Sequence, residues 1–256
     1  MNLSIIILAK NEAESIGACL DSLSPLDSLE ILVIDDGSTD DTVSIAEYKN
    51  ARVISHQKKN FAEARNFALK QTKGEWILYI DADERVTLEL ASEIRKQLRN
   101  NSMWDAGRIT RINYYLGKRW PTSEQVIRLF RKSKLKEWFG ELHESPVVEG
   151  TVFDLAGSIH HFTHRTLSEM VENTLVWSEI EAKLRLANNH PPVSWWRIPR
   201  VMIPVFVNYY ITQRGWQAGT VGLIESIYQA FSMFITYGRL WEMQNLTQNS
   251  KLKTQK

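Results

Sequence analysis

Four short apolar runs punctuate the first hundred residues, at about Leu3 to Lys10, Leu29 to Asp35, Arg52 to His56 and Trp76 to Asp81. Each is too short for a buried helix, and amphipathic stretches lie between them. That rhythm predicts parallel strands with crossover helices, because a parallel neighbour can be reached only by carrying the chain back across the sheet. Ile16, Cys19, Leu20 and Leu23 fall on one face of a first helix, and Asn60 with Glu63 forms a capping box that opens another. Four βα units follow, so the predicted class is α/β: a Rossmann-like, mostly parallel sheet flanked by helices.

From Asp105 the segments shorten, with strand patterns at 125–130 and 151–155. Thr166 to about Asn188 reads as a charge-laced helix capped by Thr166 and Glu169, stopping before Pro191-Pro192, which is the expected boundary of a C-terminal extension. Beyond it, Arg200, Arg214, Glu225 and Arg239 break up the apolar stretches, leaving none of the roughly 20-residue span that crosses a bilayer. Ile227, Tyr228, Phe231, Phe234 and Ile235 share one helical face from Ile224 onward, opposite Glu225, Gln229, Ser232, Thr236 and Arg239. Trp195, Trp196, Trp216, Tyr237 and Trp241 lie nearby, and Lys251, Lys253 and Lys256 close the chain. The pattern suits a helix lying in an anionic membrane interface, with packing against the core or a second copy as the alternative.

Composition removes other classes. A net charge of +1 gives no chain-wide footprint for nucleic acid, and the single cysteine, Cys19, cannot form an internal disulfide. The N-terminus lacks the basic region and cleavage site of a secretory signal, so the expected location is cytoplasmic, peripheral at a membrane surface. Ala9-Lys10-Asn11-Glu12-Ala13 carries none of the glycines that a dinucleotide-binding oxidoreductase needs after its first strand.

The chemistry-bearing residues gather at strand ends. Tyr79-Ile80-Asp81-Ala82-Asp83 ends a strand in two carboxylates flanking a small residue, at the sheet edge where α/β proteins bind ligands. Paired oxygen donors suit Mg²⁺ or Mn²⁺ sharing phosphate oxygens, and Ala82 allows close approach; the plain alternative is a solvated strand end. Val33-Ile34-Asp35-Asp36-Gly37-Ser38-Thr39-Asp40 delivers more acids to that edge, with Asp36 the candidate for a base or ribose. Ala9, Asn11 and Glu12 end the first strand there, and Asn11 could instead cap a helix.

Taken in order, Ala9-Lys10-Asn11-Glu12, Asp35-Asp36-Gly37-Ser38, Ala64-Arg65-Asn66 and Asp81-Ala82-Asp83-Glu84 resemble family 2 glycosyltransferases of the GT-A fold. The resemblance implies that Asn11, Glu12, Asp36 and Arg65 line a nucleotide pocket, that Asp81 sits near the ribose, and that Asp83 binds the metal. Residues 1–100 would form the nucleotide-sugar half, 101–190 the acceptor half, and 191–256 the membrane-associating extension. Phe139-Gly140-Glu141-Leu142-His143-Glu144, His160-His161-Phe162 and Gly219-Thr220-Val221-Gly222 resemble lipopolysaccharide inner-core β-glucosyltransferases. That implies inverting transfer of a hexose, glucose above all, from a UDP-sugar to a core heptose, with a capsule or other lipid-linked saccharide as the alternative acceptor.

The reaction itself asks for a divalent ion on the leaving diphosphate and a base for the acceptor hydroxyl. Glu144 is the candidate base, with Glu141 and Asp154 as rivals. Strand alternation lets only one of His160 and His161 face the site, and His161 is the candidate for completing the metal shell. Arg128 and Arg165 can meet phosphate, and Trp104, Trp120 and Trp138 can stack on acceptor sugars unless they are simply core. A non-catalytic scaffold of the same fold is the rival function, which donor hydrolysis or transfer excludes.

Overall fold

A computed structural model describes residues 2–100, 103–140 and 144–253. The four expected strands are present as β1 (Leu3–Ala9), β2 (Glu30–Asp35), β3 (Arg52–Ser55) and β4 (Trp76–Asp81). Between them run α1 (Ala13–Leu23), α2 (Thr42–Tyr48) and α3 (Phe61–Gln71). All seven residues of β1 are buried, as a central strand with helices on both faces requires. Full burial of an Ile or Leu side chain contributes about 1.5–3 kcal/mol, so this strand is a large share of what holds the sheet. Ile5 and Ile7 join one apolar cluster with Ile16, Cys19 and Leu23 of α1. Ile6 and Leu8 face the other way, toward Ala64 and Ala68 of α3.

The chain goes on through β5 (Glu84–Val86), α4 (Leu88–Arg99), β6 (Ala106–Tyr115), β7 (Lys118–Arg131), β8 (Leu135–Phe139), β9 (Ser145–Val148) and β10 (Val152–Thr163). One eight-stranded sheet has the order β3-β2-β1-β4-β7-β6-β10-β5, and β8 with β9 forms a separate ribbon. β1 to β4 pair in parallel, whereas β7 meets β4 and β5 meets β10 antiparallel. β5 follows β4 after two residues yet occupies the far end of the strand order, so this edge of the sheet curls back toward β4. The result is the expected α/β, GT-A-type architecture with a helical C-terminal extension. The expected segments at 125–130 and 151–155 are portions of the much longer β7 and β10.

The chain forms two compact units, residues 1–113 with 123–162, and residues 114–122 with 163–256. The second contains α5 (Leu167–Ala187), α6 (Arg197–Val207) and α7 (Thr220–Lys253), together with the tip of the β6–β7 hairpin. Pro191-Pro192 therefore falls inside this unit, because α5 packs along α7: the Tyr228 hydroxyl lies 2.8 Å from Thr174 Oγ1 and donates to the Met170 carbonyl at 2.7 Å. Thr166 caps α5 by accepting from the Glu169 N–H, as its sequence predicts. A Cβ on Gly222 would lie 1.7 Å from the Gly215 carbonyl oxygen, so the glycines of that stretch let two backbones touch.

The faces of α7 are distributed unusually for a packed helix. Ile227 is 53% exposed, with Phe231, Phe234 and Trp241 exposed beside it, while Glu225, Ser226 and Thr236 are buried. The buried Glu225 carboxylate is satisfied by His164 Nδ1 at 3.0 Å and by the Gln229 amide, both within the same unit. Tyr228, expected on the apolar outer face, is instead buried through its hydrogen bonds to α5. No helix among the described residues is long and apolar enough to cross a membrane.

Candidate active site

The carboxyl ends of β1 and β2 are tied together by their own loops. Asn11 adopts a positive φ, and its Oδ1 accepts from the Thr39 N–H at 2.8 Å. Thr42 Oγ1 and Asp40 Oδ2 accept from the N–H groups of Glu12 and Ala13, so the first turn of α1 is capped by the neighbouring loop and not by Asn11. Asp35 is buried and accepts from Gly37 and Ser38, which makes it the turn-former. Asp36 accepts from the Lys58 N–H at 3.0 Å and pairs with the ammonium groups of Lys10 and Lys58. Burial would raise its pKa, but the bonds and charge of Lys58, with help from Lys10, hold it below the ordinary carboxylate value. The Ala9 carbonyl accepts from the Asp36 N–H at 3.0 Å, which joins the two strand ends.

At the end of β4 a ladder of charges begins. Glu144 Oε1 accepts from Arg65 Nε at 3.2 Å, and Arg65 Nη2 reaches Asp81 Oδ1 at 2.9 Å. The other Asp81 oxygen accepts from Arg128 Nη2 at 2.6 Å, and the same nitrogen reaches the fully buried Glu84 at 3.4 Å. Arg111 links Glu84 at 3.3 Å to Glu124 at 3.0 Å. Burial opposes ionisation of Asp81, yet Arg128 and Arg65 on its two sides hold its carboxyl far below the usual range. Burial raises the Glu124 pKa too, and Arg111 and Asn113 outweigh it and lower the net value.

Asp83 lies beyond β4 in a turn, so the acid pair does not run on in an extended strand with both side chains on one face. Asp81 turns to the arginines and Asp83 to a histidine. The pairing of β5 with β10 sets His161 opposite Glu84, which brings His161 Nε2 to 3.2 Å from Asp83 Oδ2. Burial disfavours the imidazolium, but the hydrogen bond to Asp83, its charge and that of Glu84 raise the His161 pKa overall. His160, one residue away on the strand, has its ring near Phe162 instead. Ala82 is buried, and its carbonyl accepts from Arg85.

The structure thus brings Arg65, Asp81, Glu144, Asp83 and His161 together along the carboxyl edge of the sheet. Among the described residues no cluster of three or more His, Cys, Asp or Glu stands ready for a metal, so Asp83 and His161 offer a two-ligand set. One carboxylate oxygen and one imidazole nitrogen are donors that would suit a Mn²⁺- or Mg²⁺-type ion. Arg128, expected as a phosphate contact, instead directs its Nη2 to Asp81 and Glu84; a lone arginine within an apolar run is the sequence signal that it needs a buried acid. Of the rival bases, Asp154 is exposed and pairs with Arg108, and Glu141 lies outside the described residues, as does His143. Arg165 pairs with Glu169 within the second unit. Trp104, Trp120 and Trp138 are all buried, so core packing accounts for them; Trp138 also lies under the Arg65 guanidinium.

This acid- and arginine-lined edge lies on a sheet of the GT-A type, and comparison with known proteins identifies the family. Residues 4–151 match the sequence model of glycosyl transferase family 2, more than half of the chain, and the protein belongs to that family. It is 27% identical to an uncharacterized glycosyltransferase of Rickettsia prowazekii, over 96% of this chain and 89% of that one. It is also 27% identical to the lipopolysaccharide core biosynthesis glycosyltransferase LpsC of Rhizobium meliloti, over 95% of this chain and 93% of the relative. The crystal structure of S. aureus TarS residues 1–349 with UDP-GlcNAc has the same fold, with a TM-score of 0.51 and 16% identity over 96% of this chain and 92% of that one.

Proposed function

We propose that the protein transfers a hexose, glucose above all, from a UDP-sugar to a lipid-borne saccharide, an inner-core heptose of lipopolysaccharide, with inversion at the anomeric carbon. The observation that carries this reading is the 3.2 Å approach of His161 to Asp83 beside an Asp81 clamped by two arginines. Likeness to LpsC over nearly the whole chain supports the acceptor class. Asp83 and His161 would hold the divalent ion, which when bound neutralises the charge that develops on the leaving diphosphate. Asn11, Glu12, Asp36 and Arg65, with Ala9, Asp81 and Ala82, form the donor side. Glu144 acts as base on the acceptor hydroxyl. A carboxylate held through Oε1 by Arg65 can still accept a proton at Oε2, so the arginine aims the base without consuming it.

The second unit, in this reading, holds the enzyme on the cytoplasmic face of the membrane. The exposed Ile227, Phe231, Phe234 and Trp241 supply apolar contact, and Arg197, Arg200 and Arg214 supply attraction to anionic lipid. Of the terminal lysines, Lys256 lies outside the described residues, and the side chains of Lys251 and Lys253 are likewise not described.

The test is a thermal-shift and transfer screen of nucleotide sugars with and without Mn²⁺. A ligand that binds only the native state at 100 times its Kd stabilises it by about 2.7 kcal/mol, well within detection. UDP-sugars should shift the wild-type protein in a Mn²⁺-dependent way, and Asp83→Ala should lose that dependence and turnover while staying folded. Equal shifts with uridine, guanosine and adenosine nucleotides, or near-normal turnover by Asp83→Ala, would refute the assignment.

A further inference from the structure

His161 is held from two sides. Its Nε2 meets Asp83, and its Nδ1 lies 2.9 Å from Asn113 Oδ1. Which nitrogen carries the proton in the neutral ring decides whether Nε2 can ligate, because only a deprotonated imidazole nitrogen offers a lone pair. The hydrogen bonds around Asn113 decide it. The Asn113 amide nitrogen donates to Glu124 Oε1 at 2.7 Å, and an ionised carboxylate only accepts, so the NH₂ must face Glu124. The amide oxygen is then the atom that faces His161, and it too only accepts. Nδ1 must therefore donate, and since the Asp83 carboxylate also only accepts, Nε2 donates too until an ion takes the place of its proton.

Glu124 is itself fixed, since Arg111 Nε donates to its Oε1 at 3.0 Å and Arg111 Nη1 reaches the buried Glu84 at 3.3 Å. All of these residues belong to the first compact unit. The chain of dictated polarity runs from Arg111 through Glu124 and Asn113 to the imidazole.

We propose that Glu124 and Asn113 are positioning residues that lock His161 with its proton on Nδ1, so that Nε2 is the nitrogen presented to Asp83 and to a divalent ion. The inference rests on the assignment of Asp83 and His161 as ligands under Proposed function. When an ion takes Nε2, the proton the ring keeps is the one Nδ1 donates to Asn113. Neither Glu124 nor Asn113 touches the ion. Their role is to orient a ligand, the kind of outer-shell contact whose loss weakens metal binding.

The experiment is ¹⁵N NMR of the imidazoles in protein loaded with Mg²⁺ and UDP, paired with calorimetric titration of Mn²⁺ in the presence of UDP. Glu124→Leu removes the acceptor that fixes the Asn113 amide, so the amide can turn its NH₂ toward Nδ1 and oppose the proton there. The expected result is a loaded wild-type ring with its one proton on Nδ1, and Mn²⁺ binding weakened about 10-fold or more in Glu124→Leu. Asn113→Asp combined with Glu124→Leu restores an acceptor at Nδ1, because a carboxylate cannot donate whichever way it turns; the double variant should recover most of the affinity. Recovery also shows that the single variant had not merely unfolded. Unchanged Mn²⁺ affinity in Glu124→Leu, or no recovery in the double variant, would overturn the proposal. A loaded wild-type ring with its proton on Nε2 would overturn His161 as a ligand, and with it the reading on which the proposal rests.

Discussion

Arg128→Met is the sharpest probe of the charge ladder. The substitution keeps an unbranched side chain in β7 and removes the one group shared by Asp81, at 2.6 Å, and Glu84, at 3.4 Å. Removing one partner from a buried ion pair costs about 3–5 kcal/mol, because the remaining charge keeps its desolvation penalty without compensation. Here each acid retains a second arginine, Arg65 for Asp81 and Arg111 for Glu84, and the Asp81 side chain is 27% exposed. The loss should therefore lie at the low end, about 3 kcal/mol, where 1 kcal/mol moves Tm by roughly 2–4 °C in a chain of this size. A fall in Tm of about 6–12 °C is expected in a thermal melt. Adding Glu84→Gln removes the stranded charge, so the double variant should lose less than the sum of the two single losses, with a coupling of about 1 kcal/mol or more. A loss under about 0.5 kcal/mol for Arg128→Met, or strict additivity in the cycle, would refute the argument that Arg128 compensates both acids.

Three further outcomes follow from the geometry. Glu144→Gln preserves shape but cannot take the acceptor proton, so kcat should fall by roughly 10² to 10⁴ in a transfer assay while calorimetry still detects donor binding; unchanged kcat would move the role elsewhere. In ligand-free protein the raised His161 pKa contributes stability that is complete below its unfolded value of about 6.5 and is lost as pH rises through the folded value. Tm should accordingly carry a downward component as pH rises across that window, and His161→Asn should remove it; an identical slope in both proteins contradicts the pairing with Asp83. Replacing both Phe231 and Phe234 with Ser should release the protein from anionic vesicles in a flotation assay while nucleotide binding persists, and added salt should weaken wild-type flotation without abolishing it. Dissociation of a dimer by that double variant would instead assign the face to a second copy.

The strands and their order of chemistry were legible because periodicity is local. β1 to β4, and the caps on α3 and α5 formed by Asn60 and Thr166, depend on residues within one turn or one strand. The partners of the site residues depend on pairings between segments far apart in sequence. That Arg128 would meet Asp81, and that β5 would place His161 at Asp83, follow from strand register across the sheet, and that Arg65 would reach Asp81 follows from how α3 packs on it; no pattern of residue types encodes either. The short β5 is three residues long and carries Glu84 and Arg85, so it has no apolar alternation to announce it. Helix α7 misleads for a related reason. Its polar residues read as a solvent face, but Glu225 and Thr236 are buried by neighbours and the phenylalanines lie outside.

The tip of the β6–β7 hairpin belongs to the second compact unit although its strands belong largely to the first. Trp120, 2% exposed, meets the Tyr115 ring edge-on, and its Nε1 donates to Gln213 at 3.0 Å, while the Leu116 N–H donates to the His164 carbonyl. A ribosome releases this hairpin long before it makes residues 163–256, so an emerging chain must carry an indole covered by Tyr115 alone until Tyr209, Ala218 and Val221 are synthesised. Truncation after residue 162 would freeze the protein in that state, and a fragment ending there should be aggregation-prone however complete its sheet. Expression of the first unit alone is therefore best attempted with residues 116–121 replaced by a short polar turn.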